Sequence, residues 1–251
     1  MLRLPQIMSS STITVEVSVA NRLRTAVATY FYFFMSLLIA GVVVYGFSHT
    51  VDHFLIHAVP VRPWILYMHG AVFSGWVLLF IVQSALVRVR KVQIHRTLGW
   101  FGVGLGTIIP VLGLSTAITM DRFNIAHFHE AEASPFLAIQ LNDVICFAVL
   151  FTLAVLWRRK PELHRRLILM ASCVLTSAAF ARFPFVPLHM TYWFVDGLIL
   201  LGVLRDLLVN RRVHRVYLYA LPLLIITQNT AMHLFFAAPR GWVRITDAIL
   251  R

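Results

Sequence analysis

The residues best suited to chemistry are histidines, carboxylates and amides placed inside long apolar runs. His69 heads one run (64–87), Asn142 and Asp143 lie in another (135–157), and Arg182 and His189 sit at the rims of two more. Asp196 falls within 189–209, and Asn229 and His233 fall within 216–238. At 1.5 Å per helical residue, His69, Asp143, Asp196, Asn229 and His233 all lie about 8–14 Å from the same end of the bundle. Ionisable groups at membrane depth are costly, so they tend to face a bundle interior and mark function. Asn229 and His233 are four residues apart and share a helical face, as do His189, Tyr192 and Asp196 along one stripe. The arrangement implies a polar pocket opening on that side, suited to a cation or polar solute. Alternatively His69, paired with His189 or His233, holds a transition metal or a single haem b in a redox role. Interhelical hydrogen bonding, worth about 0.6–2 kcal/mol per bond, is the competing structural reading.

Two further groups carry histidine. In SHTVDHFLIH, His49, His53 and His57 recur every four residues beside Asp52, and HFHEAE supplies His127, His129 and Glu130. Imidazoles and carboxylates at such spacings are ligands for Zn, Cu or Fe, provided they converge. A pH-responsive surface is the alternative. The other group is His95-Arg96, His164-Arg165 and His214-Arg215, in RVRKVQIHRTLG, WRRKPELHRRLI and NRRVHRVYLY. An arginine beside each histidine disfavours a bound cation, and amphipathic His and Arg suit helix ends at the headgroup level. The recurrence suggests three similar hairpins, unless basic turns arose independently.

The elements that position these groups follow from composition. The chain has 251 residues, 59% hydrophobic and 13% charged, and a mean hydropathy of +0.80. A soluble domain carries about twice that charged share. Seven runs reach the roughly 20 residues that cross a bilayer: 25–47, 64–87, 97–119, 135–157, 164–182, 189–209 and 216–238. The expected fold is therefore all-α, a transmembrane bundle with one leading helix and three hairpins. Most of the 22 Lys and Arg residues gather before the first run and in the turns near 88–96, 158–166 and 205–215. That pattern places the N-terminus in the cytoplasm and the C-terminus outside. The expected organisation is a tail over 1–24, a membrane domain over 25–238 and a short outer tail over 239–251. Cys146 and Cys173 lie in apolar runs and read as small hydrophobes. The +12 charge belongs to topology and not to nucleic-acid binding. Expected partners are lipid and a membrane protein or second copy.

The motif His69-Gly70, Phe73, Trp76, Leu78, Gln83, Leu86-Val87, then His95-Arg96, Leu98-Gly99, then Pro161-Glu162 and His164 resembles a group of uncharacterised bacterial seven-helix membrane proteins. The resemblance spans about residues 25–182 and implies the bacterial inner membrane, without an activity. A weaker similarity is to membrane b-type cytochromes, which would imply histidine pairs holding haem; the runs 97–119, 135–157 and 164–182 lack a mid-span histidine for that role. No nucleophile–base pair or phosphate loop is present. Three readings remain: a metal or haem protein, a solute or cation transporter or receptor, and a non-catalytic subunit of a membrane complex.

Overall fold

The computed structural model describes residues 9–129 and 133–250, with side chains placed over 21–129 and 135–250. Every regular element in these residues is helical. They are α1 (Ser9–Ser48), α2 (Trp64–Arg88), α3 (Val92–Phe128), α4 (Ala133–Leu156), α5 (Pro161–Val174), α6 (Ser177–Phe180), α7 (Thr191–Asn210), α8 (Arg215–Ala237) and α9 (Arg240–Leu250). A π-helical turn at Asp52–Ile56 and a 3₁₀ turn at Leu188–Met190 complete the set. Among the described residues, six helical segments are long and apolar enough to cross a membrane: 21–48, 64–88, 92–128, 135–156, 161–180 and 215–237.

The side-chain distribution is compatible with a bundle in contact with lipid. Large apolar groups face outward, including Leu78, Trp100, Phe101, Val111, Leu156 and Trp193. Arg166, Ser172, Thr176, Arg205, Asp206 and Gln228 are buried between helices. Where the surroundings are apolar, burying polar groups inside satisfies their hydrogen bonds. The aromatic core centres on Trp76, whose ring meets Phe147 and Phe151 edge-on at 5.3 and 5.6 Å, while its indole N–H donates to Ser172 Oγ at 3.3 Å.

Four features add detail to the expected layout. The fifth run is not one rod: it stops at Val174 and resumes as the short α6. At the break Thr176 turns its backbone N–H to the Cys173 carbonyl (2.9 Å) and its hydroxyl to the same oxygen (2.6 Å). This i−3 bonding replaces the α-helical pattern locally. The chain is helical from Ser9, and the segment after α8 contains α9, which packs on α3 and α4. There Arg122 donates to the Ile249 carbonyl (2.7 Å) and Trp242 to that of Pro135 (3.2 Å). Finally, the three hairpins are not alike. α2 packs closely on α3, and α4 on α5, but α8 lies chiefly against α4 and only lightly against α7.

Small residues set the closest approaches. A Cβ on Gly46 of α1 would stand 2.3 Å from the Ala179 carbonyl oxygen of α6. Backbone cannot yield there as a flexible side chain would. Gly46→Ala is therefore expected to lower the thermal midpoint of the purified protein by several degrees. Gly41→Ala, which meets open space, should leave it unchanged; scanning calorimetry of both variants compares them.

Candidate functional site

One of the two polar clusters lies toward the helix ends opposite the basic turns and centres on Asp143. Its carboxylate accepts from the Ser177 hydroxyl, from the Tyr192 hydroxyl at 2.7 Å and from the Asn142 amide at 3.3 Å. Asn142 also donates to Tyr192 Oη at 3.1 Å. Cys146 extends the cluster, with Sγ 3.5 Å from both Asn142 Oδ1 and Thr227 Oγ1. Asp196 accepts from Gln228 at 3.1 Å. The donors come from α4, α6, α7 and α8, and the helix break at Thr176 is what delivers Ser177. All of Asp143's hydrogen-bond donors are neutral.

Several expected members stay apart from it. The buried stripe of α8 is Tyr217, Leu224, Gln228 and Ala231, so Asn229 and His233 share a face that points away from the bundle. Asn229 is exposed and donates to the Ile225 carbonyl (2.7 Å), and His233 and His189 are exposed too. Arg182 bonds Thr50 Oγ1 at 3.2 Å and the Ala178 carbonyl, and its guanidinium covers Phe47 at 4.4 Å. Burial holds it below the usual arginine range. His69 is stacked on Phe73 at 3.9 Å and lies within electrostatic range of Arg182. Its Nδ1 is buried without a hydrogen bond. His189 and His233, its expected partners, are exposed.

Among the described residues no three His, Cys, Asp or Glu side chains are placed to share a metal. His57 bonds Asp52 at 2.6 Å and His53 stands 3.9 Å from it, but His49 turns to the Tyr45 carbonyl at 2.8 Å. The π-helical turn shifts the register, with His57 N bonding five residues back to Asp52 O, which breaks the expected stripe. His127 is still on α3, bonded to the Phe123 carbonyl (2.9 Å), while His129 ends that helix at φ 55°. Glu130 lies outside the described residues.

The second cluster was absent from the sequence expectation and sits at the basic-turn end. Asp206 is fully buried. It accepts from Arg166 Nε and Nη2 at 2.8 and 2.5 Å, from Arg205 at 3.0 Å, from Asn210 at 3.2 Å and from His214 N at 3.3 Å. Arg166 is likewise buried and reaches Glu162 Oε2 at 2.6 Å, which also pairs with Arg165 at 2.5 Å. A bidentate pair of this kind is the strong form of charge-assisted bonding. The signal was available: Asp206 is an acid inside an apolar run, next to Arg205. Counting Arg205 and Arg166 only as topology charges hid it.

The three His-Arg turns each close a hairpin differently. Gln83 of α2, with its amide nitrogen toward α3, donates to His95 Nδ1 (2.6 Å) and accepts from Gly99 N (3.1 Å). His164 Nδ1 bonds the Ala154 carbonyl of α4 at 2.9 Å. His214 caps α8 by accepting from Val216 N at 3.2 Å, a role that needs its neutral ring; burial, helped by Arg166, holds its pKa below the usual value. His95 and His164 also meet, ring centroids 6.5 Å apart, which joins the first two hairpins. Arg96 and Arg215 remain exposed at the turns.

No family model matches the chain, and neither a curated protein nor a solved structure matches it. The fold and clusters therefore carry the functional argument.

The two acids of the Asp206 cluster should differ in cost. Asp206→Ala strands two buried guanidiniums and is expected to destabilise by about 3–5 kcal/mol. Glu162→Ala, at a side chain 57% exposed, should cost about 0–1 kcal/mol. Thermal unfolding in detergent, followed by circular dichroism, measures both.

Proposed function

We propose that this chain is a seven-span membrane protein that binds a proton or small cation at Asp143 and moves it, or a solute coupled to it, across the membrane. The seventh span is α7. Its 20 residues match the bilayer, and its charges lower its hydropathy without opposing insertion, since Arg205 and Asp206 are paired and Asp196 is hydrogen-bonded. The basic turns support an N-terminus in the cytoplasm, which would put the Asp143 cluster in the outer half. By the family resemblance the membrane is a bacterial inner membrane.

The observation that carries the function is the surroundings of Asp143. A carboxylate at membrane depth, bonded only to neutral hydroxyls and an amide, needs a proton or a cation to balance its charge. Ser177, Tyr192 and Asn142 keep the oxygens oriented for either. The site also lies at a broken helix, the α5–α6 interruption, and discontinuous helices are a recurring way to build ion sites at membrane depth. Rotation about the Thr176 turn would move Ser177 relative to Asp143 and alter the site without unfolding either helix. The metal reading has less support, because no three ligating side chains among the described residues are placed to share an ion. A partner-subunit role leaves the Asp143 cluster unexplained.

Purified protein in proteoliposomes with an internal pH dye tests the proposal. An imposed pH or Na⁺ gradient is expected to drive flux that Asp143→Asn reduces at least tenfold while helicity stays unchanged. Asn229→Ala, outside the cluster, should retain it. Flux equal in empty and loaded vesicles, or untouched by Asp143→Asn, would sink the reading. A Soret absorbance band in the purified protein would instead revive haem binding.

A further inference from the structure

The Asp206 cluster has more donors than acceptors. Asp206 is saturated by five hydrogen bonds, and Glu162 is shared by Arg165 and Arg166. The three guanidiniums of Arg165, Arg166 and Arg205 therefore face two carboxylates, leaving one positive charge over. Two of these guanidiniums share a neighbour. Arg165 and Arg205 both lie against the Tyr32 ring of α1, at 5.3 and 5.6 Å from its centroid. Arg165 Nε, Arg205 Nε, Tyr32 Oη and Tyr217 Oη are all buried without a hydrogen-bond partner. Arg205 is 3% exposed and Tyr217 2%.

Tyr217 reaches this region through a gap in α7. A Cβ on Gly202 would stand 2.3 Å from its hydroxyl oxygen, so only glycine leaves space for the phenol there. Gly202 and Asp206 are four residues apart and share a face, which brings the hydroxyl beside the ion cluster. Buried donors left unmade cost about 1–3 kcal/mol each, and four around one excess cation call for an acceptor carrying negative charge.

We propose that the inner ends of α1, α5, α7 and α8 form a binding site for a phosphate-type oxyanion, held by Arg165, Arg205, Tyr32 and Tyr217. Guanidinium edges match phosphate oxygens in geometry as well as charge, and the tyrosine hydroxyls supply donors without adding charge. The phosphate comes either free from the aqueous side or as the headgroup of an anionic lipid at the basic-turn surface. The site is separate from Asp143 and stands whether or not ion movement occurs there.

Thermal unfolding of the full-length protein in detergent, with inorganic phosphate against chloride at equal ionic strength, reads the free form. Nanodiscs with and without phosphatidylglycerol read the lipid form. A saturable rise of several degrees is expected in one arm or the other. Tyr32→Phe keeps the ring and removes a single donor, and it should weaken apparent affinity about tenfold; Arg205→Gln should abolish the response. If phosphate and phosphatidylglycerol both act no better than their controls, the proposal is overturned. A response identical in wild type and Tyr32→Phe overturns it equally.

Discussion

The Arg166–Asp206 pair is the constraint that most of this bundle accommodates. Two charges with no exposure can persist at membrane depth only if every lone pair and proton is engaged, since hydrocarbon offers no substitute partner. That requirement fixes the spacing of α5 and α7 and brings Asn210 and the His214 backbone in to finish the shell of Asp206. It also turns Glu162 inward, although half of that side chain meets solvent. α1 is drawn in by Tyr32, whose ring carries the flanking guanidiniums. Four helices are thereby registered at one end through a single carboxylate.

The opposite end follows another rule. Asp143 has hydroxyl and amide donors and no opposing guanidinium or ammonium, so its neighbours orient it without neutralising it. A saturated ion pair holds helices in one arrangement, whereas a carboxylate ringed by neutral donors can change occupancy at small structural cost. α7 and α8 contribute to both ends, α7 through Tyr192 and Asp206 and α8 through Gln228 and the His214 backbone that opens it. The fixed end is therefore the natural reference for any rotation at the Thr176 turn that the proposed ion binding would require.

Much of this was readable from the chain. Apolar length located six apolar helices, although α3 runs nine residues past the expected end at 119, and the run 189–209 is helical as α7 without being apolar enough to count among them. Asp143, Asn142 and Asp196 stood out because polar groups in apolar runs are rare. What sequence could not supply was helix rotation. Asn229 and Gln228 are neighbours, yet only Gln228 faces the core, because the α8 stripe is set by Leu224 and Ala231. The histidine stripe at His49–His57 failed for a related reason: one π-helical turn changes the angular step, and the side chains diverge. Asp206 was missed through the opposite error, since a positive-inside pattern assigns Arg205 and Arg166 to the surface when their side chains are wholly enclosed.

The packing of α8 on α4 has a consequence for biogenesis. The α4 face bearing Asn142, Asp143 and Cys146 is completed by Thr227 of α8 (Cys146 Sγ 3.5 Å away) and by Phe235 against Phe136, ring centroids 5.5 Å apart. Insertion proceeds from the N-terminus, so α4 enters the bilayer well before the helix that covers it. During that interval a carboxylate-bearing surface faces lipid or the insertion machinery. The nascent protein thus has a built-in period of vulnerability, closed only when its last membrane helix docks four elements back.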